Sequence, residues 1–305
     1  VRDGAGERQV RARALVNAGG PWVSRIVDDV IHTDSQEAVI LVRGSHIIVP
    51  RLFDHNRAYF LQGSDGRIIF AIPYEQDFTL IGTTDELHDA PETPPVCTDG
   101  ERDYLINFVS QYLDVPLAAK DVVWTYSGVR PLYDDGANSA TSATRDYVLT
   151  VDPSGAPLLN VFGGKITTYR RLAEAALAKL MPFFPQTKGP WTAGVPLPGG
   201  DFPVLDKPAL IEKLKMDYPF LSEDWAARLM RTYGTEARSF LAGAENVADL
   251  GQDFGATLSE AELRWMKAHE FATCGHYALF PLEKLGLRLS EDQRACVADW
   301  FAKQN

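Results

Sequence analysis

Between residues 182 and 200 the chain changes character, and this break constrains the fold more than any other feature of the sequence. Pro182, Pro185, Pro190, Pro196 and Pro198 lead into Gly199-Gly200, a stretch that neither a helix interior nor a central strand accommodates. Ahead of it lie short β-branched runs separated by turns; beyond about residue 205 the pattern is that of amphipathic helices. The order predicts a sheet-and-helix domain over residues 1–190 and an all-α C-terminal domain over residues 191–305.

In the first domain, residues 9–17 read as a strand and residues 45–50 as a second, closed by Pro50. Residues 58–61 and 68–71, joined across Ser64-Asp65-Gly66, read as a hairpin around an Asp-Gly turn. Residues 78–85 read as a further strand of that sheet, and 121–126 and 147–151 return to strand. Thr98 is placed to cap a helix reaching about Leu113, with Tyr104, Leu105, Phe108, Val109 and Tyr112 on one face. Leu158 to Phe162 has the composition of a buried strand, which Gly163-Gly164 turns into a helix running to about Leu180. Ile166, Tyr169, Ala173, Ala176, Leu177 and Leu180 form the expected apolar stripe of that helix. Further on, Ser259 with Glu262 and Ser290 with Gln293 match the capping-box spacing, and Gly234 is placed to stop a helix.

Hydrophobic residues make up 45% and charged residues 23%, as in ordinary globular chains. Lys and Arg total 30 against 41 Asp and Glu, a net charge of −11 with no basic stripe, so nucleic-acid binding is not expected. Cys97, Cys274 and Cys296 are too scattered for a disulfide framework or a zinc cluster, and no metal is expected. No apolar run approaches the ~18 residues of a membrane span. The chain opens at Val1 and enters a strand-like run at once, which reads as the middle of a domain.

Strand, Gly163-Gly164-Lys165, helix is the strongest local signal for chemistry. A helix N-terminus offers free N–H donors and partial positive charge, and glycines let an anionic ligand approach the backbone. The segment is not a Walker A loop, since Leu159 and Ile166 stand where that pattern needs Gly and Ser or Thr. A tight strand–helix turn accounts for the glycines equally well. Asn17-Ala18-Gly19-Gly20-Pro21-Trp22 repeats the theme of a strand ending in small residues. Arg130, in Gly128-Val129-Arg130-Pro131, and Arg145, in Thr144-Arg145-Asp146, offer with Lys165 a clamp for a phosphate or carboxylate. The alternative is that each arginine pairs with a neighbour such as Asp134 or Asp146. His46, entering a strand after Gly44-Ser45, has the residue type of a general base or of a structural histidine. His269-Glu270 lacks a second His at Thr273, so no zinc-protease motif is present.

Six segments together carry a resemblance. They are Leu15 to Trp22, Arg43-Gly44-Ser45-His46, Gly82-Thr83-Thr84-Asp85, Trp124 to Pro131, Thr144-Arg145-Asp146-Tyr147, and Phe162 to Arg170. In order and approximate spacing they are similar to the FAD-dependent glycerol-3-phosphate dehydrogenases, and the helical tail resembles that family's C-terminal domain. Two departures stand out. Pro281-Leu282-Glu283 precedes Leu285-Gly286-Leu287 where the family carries Arg-Arg-Thr. The family's opening Gly-x-Gly-x-x-Gly turn, and a basic substrate residue from the same region, do not occur.

The resemblance implies an α/β fold: an α+β substrate sheet over about 43–154, and part of a Rossmann-like FAD-binding domain of the glutathione-reductase/D-amino-acid-oxidase type. The FAD parts would be about 1–42 and 155–185, followed by the all-α domain. It implies the C-terminal two-thirds of an enzyme that oxidises sn-glycerol 3-phosphate to dihydroxyacetone phosphate by hydride transfer to FAD. Electrons would pass to quinone, and the enzyme would sit peripherally on the inner, cytoplasmic face of the bacterial membrane, with a homodimer allowed. Ala18, Gly19, Gly20 and Trp22 would touch the ADP half of FAD, and Gly163, Gly164, Lys165, Ile166 and Thr167 the isoalloxazine. His46 would be the base or orient the hydroxyl, Arg130 and Arg145 would hold substrate, and Lys165 would serve flavin or substrate. Competing expectations are an oxidase that uses oxygen and, for the isolated chain, an inactive substrate or interaction module.

Overall fold

The structure, a computed structural model, describes residues 2–3, 6–32, 37–64, 66–136, 144–186 and 188–304. The expected turn residue Asp65 lies outside them. The chain divides into two compact units, Val1–Ala193 and Gly194–Asn305.

One long strand, Val39–Pro50, organises the first unit. Ile40, Val42, Ile47, Ile48 and Val49 give it the β-branched side chains that suit a pleated surface. It is longer than the expected 45–50 because its first half pairs with Trp124–Tyr133, in the register Val42 to Arg130, Gly44 to Gly128 and His46 to Tyr126. That partner starts later than the expected 121–126 and continues through Arg130-Pro131. Among the described residues it pairs within this sheet only with the long strand, and a strand with a free edge is where proline is tolerated. On the other side lies Phe78–Gly82, then Ile68–Tyr74 and Tyr59–Gln62, the expected hairpin.

The expected strand 78–85 is interrupted. His46 faces Gly82 and Arg43 faces Glu86, so Gly44 and Ser45 are opposed by three residues, Thr83, Thr84 and Asp85. This one-residue excess is a β-bulge, a device that breaks a ladder locally and re-aims side chains.

The helix Asp99–Ser110 covers one face of this sheet. Thr98 caps it with a full capping box: Glu101 N donates to Thr98 Oγ1 and Thr98 N donates to Glu101 Oε2. Leu105, Ile106, Phe108 and Val109 pack on Ile47, Val49, Leu61, Ile69, Ala71 and Ile81. Burying such a side chain contributes about 1.5–3 kcal/mol. Strand alternation puts Gly44, His46, Phe70, Gly82 and Tyr126 on the opposite face, where Phe60, Phe70 and Ile72 remain exposed.

A second, three-stranded sheet joins Tyr147–Asp152 and Leu158–Gly163 antiparallel, with Leu15–Asn17 parallel to the latter. Only the last three residues of the expected strand 9–17 pair. The helix Tyr169–Leu180 packs on this sheet through Leu172, Ala176 and Leu180. Ile166, Tyr169 and Ala173, expected in the apolar stripe, are exposed. A 3-10 turn, Ile166–Thr168, precedes the helix, and its tighter winding shifts the phase of the stripe.

The second unit is helical, with Lys207–Asp217, Glu223–Thr232, Glu260–His269 and Glu291–Gln304 as its longest helices around a core including Leu214, Leu229, Leu263, Met266, Val297 and Phe301. Ser290 and Gln293 bond reciprocally, as the capping box requires. Ser259 caps Glu262 N, but the Glu262 side chain does not return to Ser259. It turns inward to a buried arginine: Arg228 Nη1 and Nη2 donate to Glu262 Oε1 and Oε2 at 2.6 and 2.8 Å. Arg228 Nη1 also donates to Glu283 Oε2 at 2.9 Å, and Tyr233 Oη donates to Glu262. Glu283, noted in the sequence only as a departure, is thus one of two buried carboxylates sharing one guanidinium.

Candidate active site

The two parallel strands Leu15–Asn17 and Leu158–Gly163 end at the same edge of their sheet, the place where open α/β sheets receive ligands. Asn17 fixes this edge. Its Nδ2 donates to Asn160 Oδ1 and to Val23 O, both at 3.0 Å, and Gly19 N donates to its Oδ1. Asn160, buried beside it, was given no role in the sequence analysis. Ala18, Gly19, Gly20 and Trp22 follow at the edge, and Trp22 is left exposed. Across from them Gly163 (φ +69°) and Gly164 (φ +100°) turn left-handed, a conformation that favours glycine. A Cβ on Gly163 would stand 2.9 Å from Asp146 O and 3.1 Å from Tyr133 N. The turn is therefore wedged between the strand that carries Arg130 and the segment that carries Arg145.

Lys165 and Thr167 are exposed beyond the glycines, and Ile166 is 85% exposed. Bare backbone, an outward aliphatic side chain and a single cation form a cradle that fits a large, flat, partly apolar group bearing a polar edge, as FAD does. The donors belong to a 3-10 turn rather than to the helix expected there; Thr168 N and Oγ1 both donate to Lys165 O.

On the open face of the first sheet, the Arg130 guanidinium lies across Gly44. A Cβ on Gly44 would stand 2.2–2.5 Å from its Nη2, Cζ and Nη1. The bulge holds it there: Nη1 donates to Asp85 Oδ1 at 2.8 Å and to Thr84 O at 3.4 Å, and Nη2 donates to Thr83 Oγ1 at 2.8 Å. Arg130 does pair with an aspartate, but with Asp85 rather than Asp134 or Asp146. Burial lowers its pKa, Asp85 raises it, and Arg145 lowers it, which puts the two arginines in electrostatic reach. His46 lies over Gly82, where a Cβ would meet its ring at 2.1 Å, and stacks on Tyr126 at 4.8 Å with planes 4° apart. Burial, and then the Arg130 charge, lower the His46 pKa to about 4, so the imidazole is neutral at physiological pH. Its Nδ1 is buried without a hydrogen-bond partner among the described residues.

The structure thus brings His46 and Arg130 together on one face, with Arg145 in electrostatic reach of Arg130, and seats Gly163 against Tyr133 and Asp146 and Gly164 against Tyr147 and Leu172. Tyr126 and the bulge residues Thr83 and Asp85 were singled out only as parts of motifs. Their signal was Gly82 followed by Thr-Thr-Asp, too short to reveal a bulge without its pairing partner.

Residues 1–170 match the family described as DAO, FAD dependent oxidoreductase. The chain belongs to that family. Among curated relatives, the chain is 42% identical to the D-erythritol 1-phosphate dehydrogenase of Brucella abortus over 98% of the chain and 60% of the relative. It is 43% identical to the aerobic glycerol-3-phosphate dehydrogenase of Escherichia coli over 96% of the chain and 59% of the relative. The chain therefore spans about three-fifths of the length of these relatives. The FAD-complexed glycerol-3-phosphate dehydrogenase of Bacillus halodurans shares the fold, with a TM-score of 0.76 at 22% identity over 97% of the chain and 62% of that structure.

Proposed function

We propose that this flavoprotein oxidises the secondary hydroxyl of a small polyol monophosphate, with glycerol 3-phosphate going to dihydroxyacetone phosphate. The observation that carries the reading is the Arg130 guanidinium laid over Gly44 beside a neutral His46. A fixed cation for an oxyanion and an unprotonated imidazole for a hydroxyl proton then share one face. The identities to glycerol-3-phosphate and D-erythritol 1-phosphate dehydrogenases support the substrate class. When bound, FAD supplies the two-electron acceptor for the hydride leaving C2. His46 accepts the hydroxyl proton or orients that hydroxyl. Arg130 and Arg145 hold the reacting oxygen and the phosphate, and Lys165 serves substrate or flavin. Ala18, Gly19, Gly20, Trp22 and Gly163 to Thr167 hold the cofactor.

The near-equal identity to a D-erythritol 1-phosphate dehydrogenase favours a second reading, a substrate one carbon longer. Anaerobic addition of each polyol phosphate to the FAD-loaded protein separates the two. Glycerol 3-phosphate is expected to bleach the flavin's visible band at lower concentration than D-erythritol 1-phosphate. The reverse order transfers the assignment to the longer substrate, and no bleaching by either removes the reading. We take the acceptor to be quinone at the inner face of a bacterial membrane, as the resemblance implies, with a homodimer allowed. Quinone reduction without peroxide formation checks the acceptor.

A further inference from the structure

We propose that Glu101, on the far side of the sheet from the site, is a positioning residue that sets the Arg130 guanidinium through the bulge. This rests on the substrate role given to Arg130 above. Glu101 belongs to the covering helix and is buried, yet its carboxylate collects six donors, the longest of them Arg43 Nε to Oε1 at 3.5 Å. Ser45 Oγ and Thr84 Oγ1 donate to Oε1 at 2.7 and 2.8 Å. Arg43 Nη2, Thr98 N and Thr98 Oγ1 donate to Oε2 at 2.9, 3.0 and 2.9 Å. A helix cap needs only the two Thr98 contacts; Ser45 and Thr84 belong to the sheet. Thr84 is the middle residue of the bulge, and its Oγ1 also accepts from Ser45 N at 2.9 Å. Its carbonyl and its neighbours Thr83 and Asp85 are the groups that hold Arg130.

The chain of contacts therefore crosses the sheet: Glu101 to the Thr84 side chain, the Thr84 backbone to Thr83 and Asp85, and these to the guanidinium over Gly44. Burial opposes ionisation of Glu101, but the Thr98, Ser45 and Thr84 hydrogen bonds outweigh it and hold the carboxyl down at about 2. It stays a carboxylate at any working pH, able to accept from all six donors. Without it, the extra residue of the bulge has no fixed place behind the sheet, and Arg130 loses its register with Gly44 and His46.

Thr84→Val tests this, because it removes the link while leaving Glu101 its cap, Arg43 and the helix. The readouts are KM for glycerol 3-phosphate and the NMR titration of His46, whose pKa Arg130 depresses. Expected are a KM raised by about tenfold, the scale of one lost charge-assisted hydrogen bond, and a His46 midpoint moved up from about 4. Neither effect should add to that of Arg130→Ala, since both act through one guanidinium. Thr98→Ala, which weakens the cap and takes one donor from Glu101 Oε2 but leaves the Thr84 and Ser45 bonds to Oε1, should lower the melting temperature and leave the His46 midpoint in place. The proposal is overturned if Arg130→Ala moves the His46 midpoint and Thr84→Val does not, or if Thr98→Ala moves it equally. The His46 titration needs no turnover, so it reports on Glu101 even where the substrate assignment fails.

Discussion

Arg130→Ala is expected to lower kcat/KM for glycerol 3-phosphate by about 100-fold or more, the loss that follows removal of a desolvated cation from an anionic substrate. Arg130 is half-buried, with its guanidinium held by Asp85, Thr83 and the Thr84 carbonyl while it faces the open side of Gly44. Truncation therefore removes the charge proposed to meet substrate and orphans Asp85 at once. Arg130→Lys separates the two effects, because it keeps a charge near Asp85 but loses the fork that reaches both Asp85 and Thr83. Its efficiency should fall between parent and alanine variant. His46 supplies an independent reading: with the Arg130 charge gone its pKa rises from about 4, and burial keeps it below the ordinary 6.5. Steady-state kinetics with an efficiency within twofold of the parent would remove Arg130 from substrate binding.

The second large effect lies in the helical unit. Arg228→Met leaves Glu262 and Glu283, both buried, facing each other without a cation, and breaking a buried ion pair from one side costs about 3–5 kcal/mol. Hydrogen exchange of Glu223–Thr232 and Glu260–His269 should accelerate accordingly; protection equal to the parent's would refute the account. The same cluster makes stability depend on pH. Burial, and then repulsion from Glu262, push Glu283 up from 4.5 to about 7, against the pull of Arg228. Tyr233, Glu270 and Thr232 also face the cluster. A carboxyl whose folded pKa lies above its unfolded value binds a proton on folding in the interval between. Its contribution is therefore present in full below about 4.5 and is lost as the pH rises through about 7. Glu283→Gln should flatten that slope between pH 5 and 8. A parent slope preserved in the variant would assign the pH dependence to another group.

These residues show what could be read from sequence and what could not. The helix behind Thr98 was legible because its cap and apolar positions lie within one short segment. The units on either side of the proline-rich stretch were legible because composition changes there. Arg130, Arg145 and His46 were legible as residue types within the resemblance; the structure sets His46 and Arg130 on one face, with Arg145 in electrostatic reach of Arg130. The bulge was not, since it exists only as a mismatch between strands nearly forty residues apart in sequence. Glu101 escaped for the same reason, its partners being distributed over the sheet and the bulge. The stripe through Ile166 and Tyr169 failed because periodicity assumes one winding, and a 3-10 turn intervenes. Glu262 fitted a capping box by spacing, but a buried guanidinium outbid the cap.

The bulge also has a genetic consequence. Beyond it, Glu86 and Leu87 still pair with Arg43 and Val42, so the chain on both sides is already aligned with the long strand. Removing one codon from the Thr83–Asp85 stretch would close the ladder without displacing either flank. The sheet would become more regular while the grip on Arg130 disappeared. Such a deletion would tend to be silent for folding and null for function, a class of lesion that screens based on expression or solubility would pass as wild type.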